Sequence, residues 1–101
     1  MVPVGNDPPA WPGVPVRHDP DHSRFYLTLA DGDAELIYEP FSDDVLDLQH
    51  TELPPSGQGR GIGDMLVRAA LAYARERGMR VMATCPYVQA WLRNHPEERP
   101  S

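Results

Sequence analysis

The chain reads as a mixed α+β domain, in which antiparallel strands lead into a strand-helix-strand unit and a short C-terminal helix. Three observations carry this. Apolar residues alternate with polar ones through three successive segments between residues 24 and 52, and turn residues separate them. A single long stretch, 61–77, repeats its apolar residues at helical spacing. A short apolar segment, 80–84, follows that helix, and a strand on each side of one crossover helix implies a parallel pair.

Residues 1–13 are proline-rich and show no periodicity, so a disordered or extended tail is expected, with Trp11 in it, ahead of a domain over 14–98. Residues 14–19 form a short first strand and residues 20–23 its turn. Pro20 lies between His18 and His22 and forbids the helix that would bring them together, so no metal site is expected there. Phe25, Leu27 and Leu29 mark the core face of a second strand. Asp31-Gly32 signals a two-residue hairpin turn, and residues 33–41 return with Ala34, Leu36 or Ile37, and Tyr38 for burial. Residues 42–44 turn again into the strand that ends at His50-Thr51-Glu52.

The helix from Gly61 or Gly63 to Arg77 sets Ile62, Leu66, Ala69, Ala70, Tyr73 and Ala74 along one side and leaves Arg68, Arg75 and Glu76 more exposed. Asp64 in its first turn, Arg75 and Arg77 in its last, and Gly78 beyond them suit the helix dipole and a left-handed cap. Val88, Trp91 and Leu92 mark a final helix that Asn94-His95-Pro96 ends, after which residues 97–101 are expected to fray. Met65, Tyr73 and Trp91 are expected in the core.

Composition narrows the chemistry. A net charge of −6 argues against nucleic acid and anionic membranes as partners, since both need a basic surface. All nine cations are arginines, which excludes lysine Schiff bases and lysine general bases. One cysteine forms no intramolecular disulfide, no apolar run approaches the ~20 residues of a membrane span, and residues 1–5 do not read as a secretory signal. A cytoplasmic location is the expectation.

The junction between strand and helix, residues 52–63, is the functional signal. A glycine-rich loop running into a helix aims free backbone N–H groups and the positive end of the dipole at an anion. The dinucleotide spacing G-x-G-x-x-G fails, because its last position is Ile62 counted from Gly57 and Asp64 counted from Gly59. A P-loop fails for want of a lysine. The spacing Q/R-x-x-G-x-G/A is met by Gln58, Gly61 and Gly63, and here the sequence resembles the GCN5-related N-acetyltransferases. His50-Thr51-Glu52, Cys85-Pro86-Tyr87 and His95-Pro96-Glu97 extend the resemblance, over residues 14–98, to the small single-domain group related to bacterial YjdJ.

The resemblance implies a fold in which the strand ending at His50 and the strand ending at Cys85 splay apart to admit the pantetheine of acetyl-coenzyme A. Backbone amides of Gln58, Gly59, Arg60, Gly61, Ile62 and Gly63 would hold its pyrophosphate, with Arg60 and Arg68 offering charge to its phosphates. It implies transfer of an acetyl group to an amine of a small molecule or peptide; a non-catalytic acyl-coenzyme A binding module is the alternative. His50 and Glu52, two apart on one strand face, are candidate general bases. Cys85 reads as a nucleophile or as a small buried residue lining the site. Tyr87 reads as a proton donor to the leaving thiolate or as a packing residue just before the last helix, and His95 as a coenzyme contact or a helix end. Members of the superfamily usually carry two helices between the first two strands and further strands at the end. Here only a turn fits, so the acceptor cleft is open or completed by a second copy of the chain in a homodimer.

Overall fold

The computed structural model describes residues 15–99. Five strands form one sheet in the order β1-β2-β3-β4-β5: β1 (Arg17–Asp19), β2 (Arg24–Leu29), β3 (Gly32–Ser42), β4 (Val45–Glu52) and β5 (Arg80–Ala83). The first four are antiparallel neighbours, and β5 joins β4 in parallel after the crossover helix α1 (Ile62–Glu76). A second helix, α2 (Pro86–Asn94), follows β5 directly.

Alternation decides which face of the sheet is buried. Phe25, Leu27 and Leu29 of β2 share a face with Ala34, Leu36 and Tyr38 of β3, and with Leu46 and Leu48 of β4 and Val81 of β5. Both helices close over that face. α1 contributes Ile62, Leu66, Val67, Ala70, Leu71 and Ala74, so Val67 and Leu71 join the expected stripe, while Tyr73, Ala69 and Met65 flank it half-buried. α2 adds Val88, Trp91 and Leu92. Among the described residues no helix covers the opposite face, which carries Arg24, Tyr26, Glu35, Ile37, His50 and Glu52.

Several boundaries differ from the sequence reading. The first hairpin turns on Ala30-Asp31 rather than Asp31-Gly32, because Leu29 pairs with Gly32. Asp31 is thereby freed to accept hydrogen bonds from the Ser56 backbone N–H (3.0 Å) and the Ser56 hydroxyl, which tie the hairpin tip to the glycine-rich loop and hold the carboxyl below its ordinary range. β1 covers only Arg17–Asp19, and Val14 and the expected tail lie outside the described residues. β5 stops at Ala83, and α2 begins at Pro86, which puts Tyr87 inside the helix. Residues 97–99 do not fray. Pro96–Glu98 forms a 3-10 turn, Arg75 donates to the Glu98 carbonyl (2.9 Å) and Arg99 to the Val81 carbonyl (3.0 Å).

At the far end of the sheet His18 stacks on Phe25 (ring centroids 4.3 Å apart) and hydrogen-bonds the Tyr38 hydroxyl (2.6 Å), which anchors the three-residue edge strand. Burial, and the nearby Arg77 charge, lower the His18 pKa.

Candidate functional site

The site forms where β4 and β5 part. Their pairing ends at Leu48 and Ala83, and the Leu48 carbonyl accepts from both Thr84 N–H and Cys85 N–H at 3.1 Å each. Beyond that point β4 runs on to Glu52 while the chain turns from Cys85 into α2. A wedge opens between the two strand ends.

A clasp marks the apex. Asp47 is buried to 7% exposure, and its carboxylate accepts from Thr84 N–H (3.1 Å) and the Thr84 hydroxyl (2.9 and 3.0 Å). Gln49 donates to Asp47 (3.3 Å) and to Glu39 (2.9 Å) from the same side. A buried carboxylate is costly unless its oxygens are hydrogen-bonded, so these donors make the position tenable and pin the end of β5 to β4. Asp47 was not apparent from sequence, where an acid amid Leu46 and Leu48 reads as the solvent side of an alternating strand.

A β-bulge sets which side chains face the wedge. Tyr38 pairs with Leu48 but Ile37 pairs with His50, so Gln49 is the extra residue. One added residue reverses the alternation downstream. His50 and Glu52 therefore lie beside Ile37 and Glu35 on the helix-free face, and Thr51 falls opposite buried Leu36 on the helix face. His50 Nε2 and Glu52 Oε2 are 2.9 Å apart, with the two side chains 55% and 62% exposed. Cys85 is buried instead, and its Sγ lies 3.6 Å from the Thr51 hydroxyl across the wedge. The expected pair thus stands together on one lip, while Cys85 belongs to the other. Thr51, unassigned in the sequence reading beyond its place in the motif, bridges the gap.

The loop enters α1 without a capping side chain. Helix starts ordinarily recruit Ser, Thr, Asp or Asn to satisfy their first amides. Here the N-cap is Gly61 at φ 81°, a left-handed conformation that a side chain would strain, and no side chain caps the first-turn amides. Gly59, also left-handed at φ 73°, has nothing within 4 Å of where a Cβ would stand. A 3-10 turn, Pro55–Gly57, precedes these residues, and Gln58 donates its side-chain amide to the Leu53 carbonyl (3.2 Å). Ile62 is fully buried, so it offers the loop only its backbone. An uncapped, glycine-lined helix start fits a bound pyrophosphate.

Gly63 has a different reason to be glycine. Its φ is ordinary, but a Cβ there would come within 2.6 Å of the Tyr87 hydroxyl. Tyr87 leans from the first turn of α2 across the start of α1, 44% exposed. Burial of its hydroxyl, then the charges of Asp64 and Cys85, raise its pKa. Two further residues are tied up by their neighbours. Arg68 donates to Asp64 (3.0 Å), pairs with Glu98 (3.2 Å) and lies over the Trp91 ring, so it is a half-exposed strut held by two carboxylates rather than a freely solvated helix-face arginine. Trp91 donates its indole N–H to Asp64 (2.8 Å), and His95 stacks on Trp91 while bonding its carbonyl (2.9 Å), as a helix end does.

Comparison with known proteins agrees with this geometry. Residues 24–100 match the family model of the GCN5-related N-acetyl-transferases. The chain is 36% identical over 88 residues to protein NATD1 of Bos taurus, covering 83% of this chain and 78% of that one, and 35% identical to its Homo sapiens counterpart with the same coverage. Protein NATD1 of Danio rerio is 34% identical over 83 residues, covering 80% and 76%. The NMR solution structure of a GCN5-like protein from Staphylococcus aureus superposes with a TM-score of 0.64 at 22% identity, covering 82% of this chain and 81% of that one, which is a likeness of fold.

Proposed function

Because the chain belongs to the GCN5-related N-acetyltransferase family, we propose that it moves an acetyl group from acetyl-coenzyme A to an amine of a small molecule or peptide. The observation that carries this reading is the opening of β4 from β5 beside an uncapped, glycine-lined helix start. Beyond Leu48 the β5-side edge of β4 has no strand partner among the described residues, which offers backbone groups to a chain of amides, and the uncapped helix start suits a pyrophosphate. When bound, the coenzyme would supply the acetyl thioester, with Thr51 and Cys85 lining the apex. Backbone N–H groups of residues 58–63 would hold its phosphates, with Arg60 in the same loop.

The amine nitrogen attacks the acetyl carbon, the carbon–sulfur bond breaks, and the thiolate leaves with a proton. The protein's part is to move the two protons. His50 and Glu52, joined at 2.9 Å, take the proton from the amine: with Nε2–H donating to Glu52, Nδ1 carries the accepting lone pair. An α-amine with a pKa near 7.7–8.0 demands less of this base than a lysine near 10.4. Tyr87, protonated at neutral pH as any tyrosine is, gives its proton to the leaving sulfur from the opposite lip. Cys85 lines the apex; direct attack requires no covalent stage at its sulfur.

One observation favours a second reading, a binding module that holds the acyl-coenzyme without turnover. His50 and Glu52 are more than half exposed on a face that no described helix covers. Incubating the protein with acetyl-coenzyme A and a panel of amines, while following free thiol and measuring coenzyme affinity by calorimetry, separates the two. Amine-dependent thiol release supports the transferase. Tight binding with no release for any amine leaves the binding module, and no binding removes both.

A further inference from the structure

On the far side of α2 from α1, a cavity of about 390 Å³ lies between that helix, the C-terminal turn and β5, lined by Ala83, Gln89, Leu92, Arg93, Pro96 and Arg99. Among the described residues β5 is the last strand of the sheet, so its outer carbonyls meet no strand there. Side chains meet them instead. Arg99 Nη2 donates to Val81 O at 3.0 Å, and Gln89 Nε2 donates to Ala83 O at 3.0 Å and reaches Thr84 O at 3.4 Å. These bonds hold a guanidinium and an amide in place at the cavity wall.

The charge there is not neutralised. Arg99 is satisfied by a neutral carbonyl, and Arg93 makes no hydrogen bond or ion pair among the described residues. Glu98, next to Arg99 in sequence, is turned away to Arg68 at 3.2 Å. In a chain of net charge −6, two cations therefore share one concavity with no carboxylate partner among the described residues. Guanidinium forks match carboxylate and phosphate oxygens, and Ala83, Leu92 and Pro96 offer an apolar wall to a methylene chain. The hollow is open to solvent on one side and has room for the anionic end of a small ligand.

The position links this cavity to the wedge. Ala83 ends β5 and lies two residues, about 7 Å of extended chain, before Cys85 at the start of α2, so a molecule anchored in the cavity has the opening within reach around the end of the strand. Resting on the acetyltransferase reading, we propose that the cavity receives the anionic group, carboxylate or phosphate, of the amine acceptor. The acceptor class is then an amine separated by about 7 Å of flexible chain from an anion, with the anion on Arg93 and Arg99 and the amine at the wedge.

An NMR titration of the full chain with 5-aminopentanoate, 4-aminobutyl phosphate and pentylamine tests this, following the Gln89 side-chain amide and the Nε–H signals of Arg93 and Arg99. The expected result is saturable shifts with the two anionic amines and none with pentylamine. The stronger binder of the two identifies the anion. Arg93→Gln, at an exposed position that folding does not depend on, weakens binding by about tenfold and Arg93→Lys restores part of it. Arg17→Gln at the opposite edge of the sheet changes nothing. In the thiol-release assay kcat/KM favours the better anionic amine over pentylamine by about tenfold, and Arg93→Gln brings the ratio toward one. Absent shifts, shifts equal in Arg93→Gln, or turnover without the preference each overturn the proposal. If no amine yields free thiol, the transferase reading falls, while the titration alone still decides whether the cavity takes an anion.

Discussion

The two halves of β4 share one strand and behave differently. Residues 45–48 are paired on both sides, with β3 and β5, and place Leu46, Asp47 and Leu48 out of solvent. Past the bulge, residues 50–52 keep β3 but lose β5, and expose His50 and Glu52. Backbone chemistry is the same in both. The difference comes from the bulge at Gln49, which turns His50 and Glu52 to the other face, and from the clasp of Asp47 on Thr84, which fixes where β5 stops following β4. A closed half that is stable allows an open half to leave its edge unpaired, as a site for an extended ligand must.

The comparison has measurable consequences. The largest effect belongs to the open half: His50→Ala should lower kcat/KM by about 100-fold or more while moving the folding free energy by less than about 0.5 kcal/mol, since the side chain is 55% exposed and its ion pair is with a similarly exposed Glu52. Steady-state kinetics and urea unfolding on one preparation read both quantities, and an unchanged kcat/KM would remove His50 from the mechanism.

The closed half should respond the other way. Asp47→Ala strips the Thr84 N–H and hydroxyl of their acceptor in a buried setting, at a cost of about 2 kcal/mol. The urea midpoint should fall accordingly, and any loss of coenzyme affinity should follow the displaced strand end. A midpoint equal to that of the wild type would break the division between the halves.

The smallest effect is expected at Cys85, which belongs to the apex joining them. Its burial beside Thr51 predicts a loss of about 1 kcal/mol for Cys85→Ala and a kcat within a few-fold of wild type. Intact-protein mass spectrometry after incubation with acetyl-coenzyme A should show no acetyl group that discharges when an amine is added. An acetyl-cysteine that forms and discharges at the catalytic rate would instead make Cys85 the nucleophile.

Much of this molecule is local in sequence. The alternation of Phe25, Leu27 and Leu29, the helical spacing of Ile62, Leu66, Ala70 and Ala74, and the glycines ahead of them each concern residues within a few positions of one another, and period and turn chemistry read them directly. The mixed α+β order, the loop running into the helix and the placement of His50 and Glu52 on one strand face followed from that alone. Only the tertiary structure decided the rest. A bulge depends on which residue of β3 each residue of β4 meets, so the face taken by His50 is invisible along the strand. Asp31 with Ser56, Asp64 with Trp91, and Asp47 with Thr84 join positions 25, 27 and 37 apart. Gly63 owes its missing side chain to Tyr87 on another helix. In the sequence a clasping aspartate and a solvated one are the same letter, because burial belongs to the neighbours the chain brings from elsewhere.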